Sequence, residues 1–297
     1  MKKLLKIIRF IHNHPLARHN RYTAYVRFIK LQIATRIHRN PIIFPFVENS
    51  KLIIKQGMTG ATGNIYVGLH EFEDMAFLLH LLRPGDLFGD IGANVGAYTI
   101  LASVIVKAKS VSLEPIPSTY KSLVSNIRIN KAGNIVATYN NGVGATKGSL
   151  KFTKSFDTVN HVIAQKDYSG EDSIEVPVVT LDHLFLEHLP TLLKIDVEGF
   201  ELNVLKGGEN VLKSETLKAI IIELNGSGNR YGIEDKEVHN LLLSYNFLPH
   251  KYEPFTRKLL PMPVYSESGN TIYIRDKEFA ERRVCGSRKY FAAGKSF

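Results

Sequence analysis

Short apolar runs alternate with amphipathic stretches through most of this chain. Leu87, Phe88 and Ile91, then Ser110–Leu113, Ile135–Asn140, Ile174–Val179, Leu192–Ile195 and Leu217–Leu224 have the length of strands, as do segments near 247–252 and 271–275. Residues 71–82, 117–131 and 234–245 carry helical patterns; Arg83-Pro84-Gly85 stops the first and Pro117 opens the second. Gly148–Phe152 reads as an extended piece and 154–172 as a polar loop. Thr180 or Asp182 caps a short helix through Leu189. Lys51–Val67, with Gly57, Gly60 and Gly63, reads as a small β-hairpin region, and after Ile195 a helix turns Leu202 and Leu205 inward. Strands alternating with helices predict an α/β fold, a doubly wound, mostly parallel sheet that binds ligands at its strand C-termini.

The stretch Leu87–Thr99, LFGDIGANVGAYT, organises this pattern. A strand breaks at Gly92 and Gly96, around Ala93, Asn94 and Val95, and a helix restarts near Ala97. Glycines accept positive φ and let backbone approach a ligand closely. The new helix points unpaired N–H groups and its positive dipole end into the same space. Asp90 sets a negative charge beside that end, so the loop can grip both ends of an amino-acid zwitterion. The spacing is G-x-x-x-G, with Asn94 where a dinucleotide fingerprint has its second glycine, which disfavours NAD. Eighteen residues past Gly96, the next strand ends in Glu114, positioned to accept hydrogen bonds from two ribose hydroxyls.

Composition changes this picture mainly at the N-terminus. The chain has 297 residues and a net charge of +10, yet residues 1–47 hold ten Lys/Arg and no Asp or Glu. The remaining 28 basic residues equal the 28 acidic ones, so the body is neutral. This predicts a basic, helical arm over 1–47, a domain over 48–275 with its core at 70–275, and a tail over 276–297. In residues 2–12, Leu4, Leu5, Ile7, Ile8 and Ile11 share a helical face between cations. Such a helix either packs on the domain or lies on an anionic membrane surface through residues 1–39. Pro41 and Pro45 end the arm. The single cysteine, Cys285, excludes a disulfide within the chain and suits a reducing, cytoplasmic setting. No apolar run approaches the roughly 18 residues of a membrane span.

LLKIDVEGFELNVLKGGENVL, residues 192–212, is the second informative stretch. Lys194, Asp196, Glu198 and Glu201 crowd the end of a strand expected beside the organising one. A Lys–carboxylate pair with an acidic first helical turn would account for them. Asp196, however, falls at the ligand edge of the sheet, where a direct role is expected. Glu223 arrives at the same edge from the next strand. His12, His14 and His19 lie in the arm, and His183 and His188 stand five apart, so surface or core positions suit them.

GDIGANVGAYTILAS, LEPIPSTYKSLVSNIRIN, VPVVTLDHLF, LLKIDVEGFELNVLKGGENVL and AIIIELNG occur in this order over roughly residues 70–275. Together they resemble the FkbM family of S-adenosylmethionine-dependent methyltransferases. The resemblance implies a class I, Rossmann-like fold with a seven-stranded sheet whose last strand is antiparallel. It also implies O-methylation, often of sugar or polyketide hydroxyls. By the same resemblance Asp90, Gly92, Asn94 and Gly96 hold the methionine end of the cofactor and Glu114 its ribose. Asn141, Gly142 and Val143 lie beside the adenine, with Ala145 where the family often has an acid. Asp196, Glu198 and Glu201 match the K-I-D-x-E-G-x-E signature.

Methyl transfer from a sulfonium is an in-line displacement in which positioning contributes much of the acceleration. An alcohol acceptor needs its proton drawn off, for which Asp196 is the first candidate and Glu223 the second. A divalent metal on Asp196 and Glu198 is an alternative way to lower the hydroxyl pKa. The expected partner is a small-molecule or glycan acceptor, not nucleic acid. Two rival classes stand against this. An NAD-dependent sugar oxidoreductase would use a pair such as Tyr273 and Lys277, but on a strand four residues span roughly 13 Å. A nucleic-acid-binding protein would use the basic arm, which lacks a recognisable binding motif.

Overall fold

The computed structural model describes residues 2–37, 40–55, 58–153, 160–163, 173–267 and 269–297. The chain opens with α1 (Lys2–Asn13) and α2 (Arg21–Ile37), followed by a two-stranded hairpin, β1 (Ile42–Pro45) with β2 (Lys51–Ile54). Helices α3 (Thr59–Val67) and α4 (Phe72–Leu81) lead to β3 (Leu87–Ile91). Helix α5 (Ala97–Ile100) continues as a π-helical segment to Val106, and β4 (Lys109–Leu113), α6 (Pro117–Ile129) and β5 (Val136–Tyr139) follow. A small sheet is formed by β6 (Gly142–Val143), β7 (Gly148–Thr153) and β8 (Ser173–Val179). The second half runs α7 (Leu181–Leu184), β9 (Leu192–Ile195), α8 (Glu201–Lys206), α9 (Glu209–Lys213), β10 (Ala219–Glu223) and α10 (Asp235–Ser244). It ends with β11 (Leu248–Glu253), β12 (Lys258–Pro261), β13 (Asn270–Ile274), α11 (Lys277–Cys285), β14 (Phe291–Ala292) and β15 (Lys295–Ser296).

The central sheet has eight strands in the order β12-β11-β13-β10-β9-β3-β4-β5. From β5 to β10 all neighbours are parallel, and β13 enters antiparallel between β10 and β11. The expected seven strands and antiparallel last strand are therefore present. The eighth, β12, is a hairpin return on the edge strand β11 that the sequence pattern did not single out.

Strand alternation divides the core. Leu192, Ala219, Ile221, Ile272 and Ile274 face one layer with α4, α5, α6 and α11. Leu193, Ile195, Ile220, Ile222 and Tyr273 face the other, with α8, α9 and α10. Buried on both sides, these strands read as continuous apolar runs. After β5 the chain returns across the sheet to place β9 beside β3. That reversal is the point where a doubly wound sheet opens a crevice at its strand C-termini.

Two local readings are corrected. Residues 51–67 do not form a hairpin among themselves: β2 pairs with β1, and 59–67 is helix α3. Ala61, Ile65 and Val67 are buried, and a Cβ at Gly63 would lie 2.8 Å from the His70 ring. Gly63 thus serves close packing, not a turn, and Gly57 lies outside the described residues. The helix after Thr180 stops at Leu184, not Leu189. Thr180 is its cap, accepting from the His183 N–H at 3.2 Å. Asp182 instead caps α9, accepting from the Asn210 and Val211 N–H groups.

Of the stretch 154–172, only 160–163 is described: the Thr153 N–H donates to His161 O and the Ile163 N–H to Lys151 O, which continues the β7 edge. Residues 276–297 form α11, capped by Asp276, and a terminal hairpin whose Tyr290, Ala292 and Phe297 are buried.

Candidate active site

The β3–α5 loop is held by its neighbours. The N–H groups of Gly92 and Ala93 both donate to Leu113 O, at 3.0 and 2.8 Å, and the Asp196 N–H donates to Ile91 O at 3.0 Å. Gly92 (φ +82°) and Gly96 (φ +88°) are left-handed, as is Asn94 at +51°. A Cβ at Gly92 would overlap the Asp196 carbonyl oxygen, and one at Gly96 would meet Leu123 Cδ1 at 2.5 Å. The glycines therefore let two strand ends and two helices close on one another. At Gly92 the nearest obstacle to a side chain is this chain's own backbone.

Asp90 sits beneath the loop, 2% exposed. Thr99 Oγ1 donates to its Oδ2 at 2.6 Å, and Ser112 Oγ completes the chain at 2.7 Å from Thr99. Across the sheet Ser112, Asp90 and Lys194 are in register, forming a polar row at the C-terminal end of otherwise apolar strands. Burial pushes the Asp90 carboxyl up to about 6, against the Thr99 hydrogen bond.

Glu114 lies on the cavity wall. Its Oε2 accepts the Asn94 N–H and its Oε1 the Ile116 N–H, both at 3.0 Å. Burial pushes it up to about 7 despite these bonds. The cavity beside it is lined by Gly92, Asn94, Ile116, Asn141, Gly142 and Val143, with Phe152, Val162 and Phe200 as apolar walls and Asp196 and Glu198 at one end. Asp90 and Gly96 stand behind this wall. Sequence reasoning missed Phe152, Val162 and Phe200. They come from the small sheet and the β9–α8 turn, and no spacing links them to the glycine loop.

At the other end, Lys194 Nζ lies 2.9 Å from Asp196 Oδ2 and 5.2 Å from the centre of the Tyr98 ring. Burial opposes its charge, yet Asp196 and Glu71 outweigh it and hold the ammonium charged. Burial likewise acts to raise Asp196, but Lys194 and a hydrogen bond from Glu223 keep it below the ordinary carboxylate range. Glu223 is pushed up to about 9 by burial and by Asp196, so it carries a proton at neutral pH.

Glu198, at φ +56°, is raised to about 7 by burial and by Asp196. Glu201 turns back on the loop, accepting the Val197 and Gly199 N–H groups at 3.1 and 3.2 Å. It positions the turn and is not free for chemistry. Glu71, Asp74 and Asn270 gather near Lys194. Glu71 accepts from Tyr98 Oη at 2.7 Å, and Asn270 Nδ2 donates to Glu71 and Asp74. In the sequence Glu71 and Asp74 look like an ordinary acidic helix start, so no local signal marks them.

One oxygen from each of Asp196, Glu198 and Glu223 lies within 4.8 Å of the others, a set able to hold a divalent cation. The Lys194 ammonium competes for the Asp196 oxygen. The Tyr273–Lys277 pair is not assembled: Tyr273 Oη is 2.8 Å from His239 Nδ1, while Lys277 pairs with Glu281. His14 and His80 are core residues, lowered to about 4 and about 3 by burial.

A parallel sheet with an inserted antiparallel strand and a glycine loop at its switch point is the class I methyltransferase architecture. More narrowly, the chain belongs to the FkbM methyltransferase family: the Methyltransferase FkbM domain matches residues 90–249. It is thus an S-adenosylmethionine-dependent methyltransferase, and the oxidoreductase reading falls away. The chain is 29% identical over 175 residues to the hexuronic acid methyltransferase AglP of Haloferax volcanii, spanning 58% of this chain and 67% of that protein. It is 29% identical over 173 residues to the 31-O-demethyl-FK506 methyltransferase FkbM of Streptomyces tacrolimicus, spanning 47% and 66%. A crystal structure of methyltransferase FkbM from Methylobacillus flagellatus is similar with a TM-score of 0.43 at 16% identity, over 73% of this chain and 55% of that one.

The chemistry of the lining suits the cofactor. Glu114 offers lone pairs for two hydroxyls, Phe152, Val162 and Phe200 offer apolar walls for a base, and acids at the far end suit a sulfonium. Binding is expected to depend on pH. Both Glu114 oxygens already accept backbone N–H groups, so a proton on Glu114 competes directly with a ribose hydroxyl. A carboxyl raised to about 7 must lose its proton on binding, so affinity should rise with pH, by up to about tenfold per unit below 7, and level off above. Calorimetry of Glu114→Gln should give a flatter profile. A profile with the parent's slope would remove Glu114 from the ribose.

Proposed function

We propose that this protein is an O-methyltransferase acting on a hydroxyl of a sugar or glycan. The observation that carries this reading is the Asp196 carboxylate, held ionised by Lys194 and bridged to protonated Glu223 beside the cofactor cavity. S-adenosylmethionine supplies an electrophilic methyl group. Gly92, Asn94, Glu114, Asn141 and Val143 hold its two ends, and Asp90 buttresses the loop through Thr99. Asp196 accepts the acceptor hydroxyl's proton as the oxygen attacks. Lys194 and Glu223 keep Asp196 ionised and aimed. Glu198, also on the cavity wall, orients the acceptor.

The relative AglP, named for hexuronic acid, supports this class of acceptor. The acidic surroundings disfavour a phosphate backbone. Labelled methyl transfer to a panel of neutral sugars and uronic acids tests the proposal. Methylation of a sugar hydroxyl is expected, and transfer only to amines or RNA would overturn it. Because Lys194 already neutralises Asp196, a chelator is expected to leave turnover unchanged. Loss of activity that Mg²⁺ restores would give the role to a metal on Asp196, Glu198 and Glu223.

A further inference from the structure

The N-terminal helices are two-sided. On α1, Ile11 is fully buried and Ile7 and Phe10 pack against the core, while Leu4, Leu5 and Ile8 face solvent. On α2, Ala24 and Leu31 are buried, Phe28 packs edge-on against Tyr66 at 5.2 Å, and Gln32 donates to Tyr66 Oη. The opposite side of α2 exposes Tyr22 (79%), Ile29 (53%), Ile33 (52%) and Ile37 (69%). Their spacing of seven, four and four places them on one stripe of the helix. Docking on the domain thus uses one apolar face of each helix and leaves a second uncovered.

Exposed cations flank these faces: Lys6 and Arg9 on α1, Arg18 between the helices, and Arg21, Lys30 and Arg36 on α2. Among the described residues none of the six is in an ion pair, and residues 1–47 contain no acid. Among the described residues no helix is long and apolar enough to cross a membrane.

We propose that this surface, Leu4, Leu5 and Ile8 of α1 with Tyr22, Ile29, Ile33 and Ile37 of α2, docks the protein on an anionic lipid bilayer. The isoleucines enter the acyl boundary while Lys6, Arg9, Lys30 and Arg36 meet the lipid phosphates. Charge selects this occupant. A second copy would bring cation against cation with no acid to answer it. Nucleic acid would match the charge but offers no apolar phase for the isoleucines. The surface is independent of the methyl-transfer site and does not rest on its acceptor.

The test is co-sedimentation of the full-length protein with vesicles of phosphatidylcholine alone and of equal phosphatidylcholine and phosphatidylglycerol, in about 0.05 M and about 0.5 M NaCl. Pelleting with the anionic vesicles only, reversed at the higher salt, is expected. Each cation removed should cost about fivefold in partition, so Lys6→Gln/Arg9→Gln/Lys30→Gln should bind about a hundredfold more weakly. Ile29→Ser/Ile33→Ser/Ile37→Ser should lose about tenfold or more while keeping its circular dichroism and S-adenosylmethionine affinity. Equal pelleting with neutral and anionic vesicles overturns the proposal, as does a serine variant that binds like the parent. A dimer that the serine variant dissociates, or oligonucleotide binding without vesicle binding, overturns it in favour of a second copy or nucleic acid.

Discussion

Asp196→Asn is expected to lower turnover by about 10²–10⁴-fold while S-adenosylmethionine affinity stays close to the parent's. The substitution keeps the shape of the side chain and its contact with Lys194, and the backbone bond from the Asp196 N–H to Ile91 O is untouched. Only the proton acceptor is lost. The buried ammonium is not left uncompensated, because Asp196 is one reason Glu223 holds its proton. With that charge gone, Glu223 ionises at lower pH and takes over as counterion to Lys194. The fold should therefore survive, and rapid-quench turnover alongside calorimetric cofactor binding would separate the two effects. Full activity in folded Asp196→Asn would remove Asp196 from both the base and the metal reading. Parallel losses of binding and turnover would place it on the cofactor instead.

Gly92→Ala should abolish cofactor binding, by more than about a hundredfold, and cost about 3 kcal/mol of stability. Its Cβ would overlap the Asp196 carbonyl oxygen, a backbone atom whose displacement moves the whole β9–α8 turn. The φ of +82° adds strain for any residue with a side chain. Gly96→Ala is the internal comparison. There the obstacle is Leu123 Cδ1, the end of a flexible side chain, so loss should be several-fold smaller despite a similar φ. Thermal unfolding and calorimetry on both variants check the order. If folded Gly92→Ala binds as the parent does, the close approach of the two strand ends is not what shapes the cofactor site.

The sequence determined the parts of this protein whose causes are local. Apolar runs, glycines at 92 and 96 and the Pro117 helix start made the parallel sheet, its glycine loop and the acid at 114 legible, because strand period, left-handed φ and helix capping act over a few residues. The family motif at 194–201 was legible for the same reason. Tertiary structure decided the rest. Whether Gly60 and Gly63 meant turns or helix packing depended on what lay opposite Gly63, namely the His70 ring. Asp182 served α9 because Asn210 and Val211 were folded against it.

Within the site, the protonation states that divide Asp196 from Glu223 come from β9 and β10 lying side by side, which sets both carboxyls beside the buried Lys194 ammonium. Phe152, Val162 and Phe200 joined the cavity from separate elements. The arm shows the division most plainly. Its amphipathic pattern is written in residues 2–12, but which apolar side chains are spent on the core and which remain outward was fixed only when α1 and α2 met the domain. A sequence period defines a face, whereas burial of that face depends on the surfaces that distant parts of the chain bring to it.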